Sequence, residues 1–230
     1  MKPREQRPKA RPAKLQRRRR GRPRSEAKRE QIVRAARTLF LRDGYARSSI
    51  DMIAVAAGVS KRTLYSHFEN KENLFLAIVE ETTIEVTQRL VDLIDEQLAV
   101  LENPARQLTE LGRALAASSA QFSEYQSLVS LVVAEARRSP AIANAWLALG
   151  QEPVNRALSA HLSRFAAAGL LEIEDADEAA AHFTALVTQV VTLRSVFGAV
   201  PLRRAEVDAL VESGVAAFLR IYGRQPSAEA

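Results

Sequence analysis

The stretch SIDMIAVAAGVSKRTLYSHF, residues Ser49 to Phe68, decides the fold of this chain. Its first half places Ile50, Ile53, Ala54 and Ala57 at helical spacings of three and four, so one face is apolar. Gly58 follows where a helix needs a left-handed cap, and Ser60 is a good N-cap for a second helix. That second helix carries Lys61, Arg62, Thr63, Tyr65 and His67 around an apolar anchor of Leu64 and Phe68. Its outward side chains are hydrogen-bond donors, and the helix is short, capped and positive. Entry into the major groove of DNA requires that combination.

The residues Ile53-Ala54, Ala57-Gly58-Val59-Ser60, Thr63-Leu64-Tyr65, His67-Phe68 and Lys71-Glu72, followed by Leu74, hold fixed positions at fixed spacing. Together they resemble the N-terminal DNA-binding domain of the TetR/AcrR family of bacterial transcriptional regulators, over about Lys28 to Phe75. Ser48 and Ser49 stand where that family more often has Thr, which keeps the hydroxyl. Arg62 stands where it often has Gly, which adds a long donor able to reach a base edge. Lys61, Arg62 and Tyr65 are expected to read or flank base edges, and Ser48, Ser49, Thr63, His67 and Lys71 to hold phosphates. The resemblance also implies a pair of chains, whose last two helices form a four-helix bundle with their copies.

Length and composition bound the alternatives. At 230 residues the chain can bury a sizeable core as one large domain or two small ones. Without cysteine it has neither a disulfide framework nor a thiolate metal site, and a reducing cytoplasm is the natural compartment. No apolar run approaches the roughly 20 residues of a membrane span, and the basic start is not followed by the apolar segment of a secretory signal. The net charge of +6 conceals an uneven distribution. Residues 1–24 hold twelve Lys or Arg against Glu5 alone, whereas the chain from Ala77 onward holds twenty Asp or Glu against twelve Arg and no Lys. The basic end suits a polyanion and the acidic body does not.

In chain order, residues 1–24 form a basic arm too poor in apolar residues to fold alone. Arg20-Gly21-Arg22-Pro23-Arg24 is expected to be extended, with Arg22 and Arg24 suited to an AT-rich minor groove. Ser25 is expected to cap the first helix, whose buried stripe is Ile32, Ala35, Ala36, Leu39 and Phe40, and Asp43-Gly44 to end it. Residues 25–72 then make a three-helix helix-turn-helix domain. Asn70 caps a long fourth helix from Lys71, and residues 73–225 make a larger helical ligand-binding and dimerisation domain. Asn103-Pro104 and Ser139-Pro140 each pair an N-cap with proline at the first helical position. Helical periodicity recurs near 104–118, 121–138, 140–148, 152–168, 176–198 and 203–222, and no segment alternates like a strand. The fold class expected is all-α.

Two late stripes suit a second copy of the chain, although an intramolecular core would use the same spacing. They are Phe183, Leu186, Val190, Leu193 and Phe197, and Val207, Leu210, Gly214, Ala217 and Ile221. Phe122, Tyr125, Trp146 and Phe165 are the aromatic residues best placed to line a pocket for a small apolar or amphipathic effector. His67, His161 and His182 lie far apart, with no metal-ligand spacing, and no phosphate loop or nucleophile elbow occurs. Neither an enzyme, a cofactor nor a metal is expected. Two functional classes remain: a homodimeric repressor released from its operator by an effector, and an architectural protein dominated by its basic arm. The capped, donor-bearing second helix favours the first. Effector, operator and the sign of regulation are not written in the sequence.

Overall fold

The computed structural model describes residues 22–121 and 123–224, without the side chains of residues 22–24 and 118–121. The described residues form helices and no strands, apart from one isolated bridge between Leu171 and Gly223. The helices are α1 (Arg22–Asp43), α2 (Ile50–Ala56), α3 (Lys61–His67), α4 (Lys71–Gln97), α5 (Pro104–Gln121) and α6 (Ser123–Glu135). After them come α7 (Pro140–Trp146), α8 (Glu152–Ala167), α9 (Ala176–Phe183), α10 (Val190–Arg194) and α11 (Arg204–Tyr222). Residues 1–21, with most of the expected basic arm, lie outside the described set.

Local chemistry sets the first boundaries. Gly44 and Gly58 take φ of +84° and +63°, the left-handed conformation that ends α1 and α2. Ser49, Ser60 and Asn70 cap α2, α3 and α4, each side chain accepting a backbone N–H three residues on. Asn103 does the same for α5. Two expected caps differ. Helix α1 starts at Arg22, ahead of Ser25, so Arg22, Pro23 and Arg24 are helical and not extended. Proline lacks the N–H that the first turn cannot use anyway, which lets Pro23 join the helix. Ser139 stands at the N-cap of α7 but leaves it uncapped, because its hydroxyl donates to the Glu72 carboxylate at the start of α4.

Two hydrophobic cores divide the protein. The first gathers Ile32, Ala36 and Phe40 of α1, Ile53 of α2, Leu64 of α3 and Leu74, Phe75, Ile78 and Val79 of α4. It continues into Leu128 and Val132 of α6 and Ile142 of α7, so the packing around the first three helices does not stop at residue 72. The second core is built from Ile94 and Leu98 at the far end of α4 with Leu108, Leu162, Phe165, Phe183, Val211 and Phe218. His161 belongs to its edge, 8 % exposed and bonded to Asp95 at 2.8 Å, while His182 meets the Tyr222 hydroxyl at 2.6 Å. Both histidines are satisfied structurally.

Two helical stretches widen into single π-turns without breaking. Leu147–Gln151 joins α7 to α8, and Thr184–Gln189 joins α9 to α10. Helix α11 crosses the second π-turn closely. A Cβ on Gly214 would stand 2.2 Å from the Leu186 carbonyl oxygen and 3.2 Å from the Val187 Cα. Gly214, expected in a stripe facing a second copy, is therefore used inside the chain, as is fully buried Phe183. Their three-and-four spacing marks an apolar face but not the neighbour that covers it. Gly214→Ala should accordingly lower unfolding stability by about 3 kcal/mol, since a backbone oxygen cannot rotate away. Urea titration of the folded chain measures it, and an unchanged midpoint would contradict the close approach.

Candidate DNA interface and central cavity

Helix α3 rests on Leu64, 0 % exposed, and is followed by buried Phe68, with the α1 residue Arg29 holding its guanidinium 5.4 Å from the Phe68 ring centre. These contacts turn the other side of α3 outward. Arg62 is exposed and engaged by no other described side chain, and Tyr65 is 53 % exposed although its ring is largely apolar. Lys61 is exposed and reaches back to Asp51 of α2 at 2.6 Å, a pairing whose hydrogen bond raises the lysine above its ordinary value. So exposed an ion pair adds little stability, and a phosphate can compete for the same ammonium. His67 is half-buried at the end of α3.

The expected phosphate contacts fall into different environments. Ser48 is 2 % exposed and its hydroxyl donates to the Gly44 carbonyl at 2.9 Å, so the side chain closes the turn and faces no solvent. Ser49 spends its oxygen on the Met52 N–H, and Thr63 shares a 2.8 Å hydrogen bond with Ser60 inside the α3 cap. Lys71 is turned inward. Its ammonium donates to the Tyr45 carbonyl at 2.9 Å and the Ser48 carbonyl at 3.1 Å, and lies 4.1 Å from the Tyr45 ring centre. Two of its three donors are thus committed to the chain. Burial pulls this ammonium below its ordinary value, and the charge of Glu135 on α6 pushes it back. Tyr45 in turn packs its ring 4.9 Å from Phe75 and 5.4 Å from Phe40. Lys71 therefore ties the turn before α2 to the start of α4. The side chains of Arg22 and Arg24 lie outside the described residues.

A cavity of about 380 Å³ opens between α4, α5, α6, the α7–α8 run and the α9–α10 run. Tyr125 and Trp146 line it, and the Trp146 Nε1–H donates to the Tyr125 hydroxyl at 2.9 Å. Burial pushes the Tyr125 hydroxyl above its usual range. Phe165 does not reach the cavity but is fully buried in the second core, and Phe122 lies outside the described residues. Phe183, Leu193 and Phe197, from a stripe expected on a dimer face, also line the cavity. The sequence reading missed Thr184, Thr188 and Thr192, although a polar residue at every fourth place in an apolar helix is a legible signal.

Trp146 joins the two regions, since it lines the cavity and also packs against the first core. Helix α4 does so too, with Phe75 and Ile78 in that core and Thr87, Leu90 and Ile94 in the cavity wall. Glu72–Ser139 and the 2.7 Å Arg37–Glu124 ion pair add polar ties between the first helices and the body.

The family descriptions agree with this arrangement at both ends. "Bacterial regulatory proteins, tetR family" matches residues 32–78, and "AefR-like transcriptional repressor, C-terminal domain" matches residues 106–224, over half of the chain. The chain belongs to the TetR family. It is a transcriptional regulator with a DNA-binding helix-turn-helix, and the family's members are regulators and not enzymes.

A TetR-family regulator from Mesorhizobium loti MAFF303099 has a similar structure, with a TM-score of 0.77 and 29 % identity over 87 % of this chain and 99 % of that one. The flavonoid-responsive regulator FrrA is 29 % identical with a TM-score of 0.64, covering 87 % of this chain and all 100 % of FrrA. The HTH-type transcriptional repressor AcnR of Corynebacterium glutamicum is 31 % identical over 80 residues, 34 % of this chain and 43 % of AcnR. The chain thus spans less than half the length of the curated relative it matches there.

Arg62 and Lys71 separate recognition from scaffolding. Arg62→Ala should weaken operator binding by about 1–3 kcal/mol and relax one base position, with no change in thermal midpoint. Lys71→Met, which keeps the stem and removes the charge, should cost about 1.5–3 kcal/mol of stability. Fluorescence anisotropy on labelled operator and thermal denaturation measure the two. An unchanged midpoint for Lys71→Met would return this lysine to a purely phosphate-contacting role.

Proposed function

We propose that the protein is a homodimeric repressor, held on its operator by the α3 helices of two subunits and released by a small apolar or amphipathic molecule in the central cavity. In this reading residues 25–72 meet DNA, with Arg62, Lys61 and Tyr65 at base edges, and residues 73–225 bind effector and partner. The observation that carries it is Trp146, whose ring belongs both to the cavity wall and to the core beneath the helix-turn-helix. Two α3 helices must sit about 34–36 Å apart to enter successive major grooves, so a small tilt of α4 in each subunit spoils both sets of base contacts. AcnR and the AefR-like description are repressors, and FrrA is flavonoid-responsive, which supports repression and an effector here. Ile221, 58 % exposed, is a member of the expected pairing stripes that remains open to a second copy, whereas Leu193, 63 % exposed, also lines the cavity.

A ligand found to dissociate the labelled operator complex should also change Trp146 fluorescence, Trp146 being the only tryptophan. Operator DNA must then weaken that ligand's affinity by the same factor by which ligand weakens operator. Equal ligand affinity with and without operator would exclude the mechanism. The basic arm gives a separate expectation. Deleting residues 2–20 should lower the slope of log affinity against log salt by roughly 0.9 for each phosphate that the arm had neutralised, with operator preference kept. Loss of preference without loss of slope would favour an architectural role.

A further inference from the structure

The walls of the central cavity differ in chemistry, and the difference specifies a ligand class. No Asp, Glu, Lys, Arg or His is among the described residues that line it. Residues 118–122, whose side chains lie outside the described set, contain no charged type either. A charged ligand would leave water for a cavity with nothing to neutralise it, and that desolvation is costly.

One wall is a ladder of threonines at every fourth residue along the α9–α10 run. Thr188 Oγ1 donates to the Thr184 carbonyl at 2.8 Å, and Thr192 Oγ1 donates to the Thr188 carbonyl at 3.2 Å. Thr184 Oγ1 donates to Asn155 Oδ1 at 3.1 Å, which also receives the Gln151 side-chain amide at 3.1 Å. Each hydroxyl has one proton, and each proton is used inside the protein. What these oxygens still offer is lone pairs. Gln126 and Gln189 also line the cavity, but an amide presents a donor and an acceptor and so sets no polarity. The opposite side holds the Trp146 and Tyr125 rings, where Trp146 donates to the Tyr125 hydroxyl and that hydroxyl keeps a proton of its own, so the acceptor-only wall is the threonine one.

The π-turns give independent weight to this cavity. Thr184 and Thr188 lie in one and Gly150 and Gln151 in the other, so both widened turns open on the same space. Such turns disturb the regular backbone ladder and recur at functional sites. At Gly150 the walls come together, since a Cβ there would lie 3.4 Å from the Tyr125 hydroxyl and 2.9 Å from Thr83 Cγ2.

We infer that the cavity takes uncharged aromatic molecules that carry a hydroxyl donor, stacked against Trp146 and Tyr125 with a hydroxyl donating to Thr188 or Thr192. The inference rests on the effector reading above and narrows it to a chemical class. A ligand whose oxygens are methylated fits the apolar wall but has no proton for the threonines. A carboxylate brings a charge that the cavity does not match.

Three probes on one skeleton test this in the full-length protein: 4,4′-dihydroxystilbene, 4,4′-dimethoxystilbene and stilbene-4,4′-dicarboxylate. In titration calorimetry the diol should bind about tenfold or more tightly than the dimethyl ether, the worth of one or two hydrogen bonds, and the dicarboxylate more weakly than either. Thr188→Val with Thr192→Val keeps the side-chain shape and should bring the diol down to the affinity of the ether. The ether's own affinity should persist, which shows that the cavity is intact. Ether binding equal to diol binding, tightest binding by the dicarboxylate, no binding by any probe, or a diol preference that survives the double substitution would each overturn the inference. Operator release, followed in parallel by anisotropy, separates it from the reading it rests on. Selective diol binding without release leaves the ligand class standing and removes the effector role, whereas release by the ether as readily as by the diol does the reverse.

Discussion

Because α4 enters one core through Leu74, Phe75, Ile78 and Val79 and the other through Ile94 and Leu98, the two halves of the protein share one rigid element. From Lys71 to Thr87, where the cavity wall begins, the helix rises about 24 Å at 1.5 Å per residue. A helix packed at both ends to interior density transmits displacement, since neither core can absorb a shift by opening voids. The first turn of α4 is also where its ties to the recognition region concentrate. Lys71 grips the turn before α2, and Glu72 receives the Ser139 hydroxyl from the start of α7. The position of α3 therefore depends on groups that bond within the chain.

Charge is arranged to serve these separate tasks. Arg62 and Lys61 stand at the surface on a helix whose other side is apolar, where a long cation is free to be drawn to a polyanion. Lys71, ten residues from Lys61 in sequence, is of the same type but has a structural setting, with its donors on two carbonyls and its charge on an aromatic ring. The cavity excludes full charges from its described lining and relies on hydroxyls, amides and rings. Polarity there comes from direction. A threonine whose proton bonds the preceding turn of its own helix presents only acceptors outward, so the helix backbone decides which groups a guest must bring.

Much of the helix-turn-helix was legible from residues alone. The caps Ser49, Ser60 and Asn70 and the glycines Gly44 and Gly58 act within three or four residues of themselves, so the chemistry that places them is local. The anchors Leu64 and Phe68 follow from the same periodicity. The candidate site was less legible. Trp146 and Tyr125 reach the cavity but Phe165 does not, and Phe183 is turned to the cavity from a stripe expected on the surface. An apolar side chain at helical spacing has a defined face, yet every apolar neighbour satisfies it equally well.

The sequence by itself determined the all-helical class, the C-terminal ends of α1 and α2, the starts of α2, α3 and α4 and the donor-bearing surface of α3, because propensity, capping and periodicity are properties of short segments. Only the tertiary structure decided which partner each group meets. Ser139 has the local pattern of a cap and is a donor to Glu72, Lys71 has that of a phosphate ligand and is a tie to Tyr45 and Ser48, and Gly214 opens a close approach to Leu186 within the chain. The physical reason is common to these cases. Hydrogen bonds and close approaches depend on distances of a few ångströms between residues up to 67 apart in sequence, and no local pattern encodes those distances.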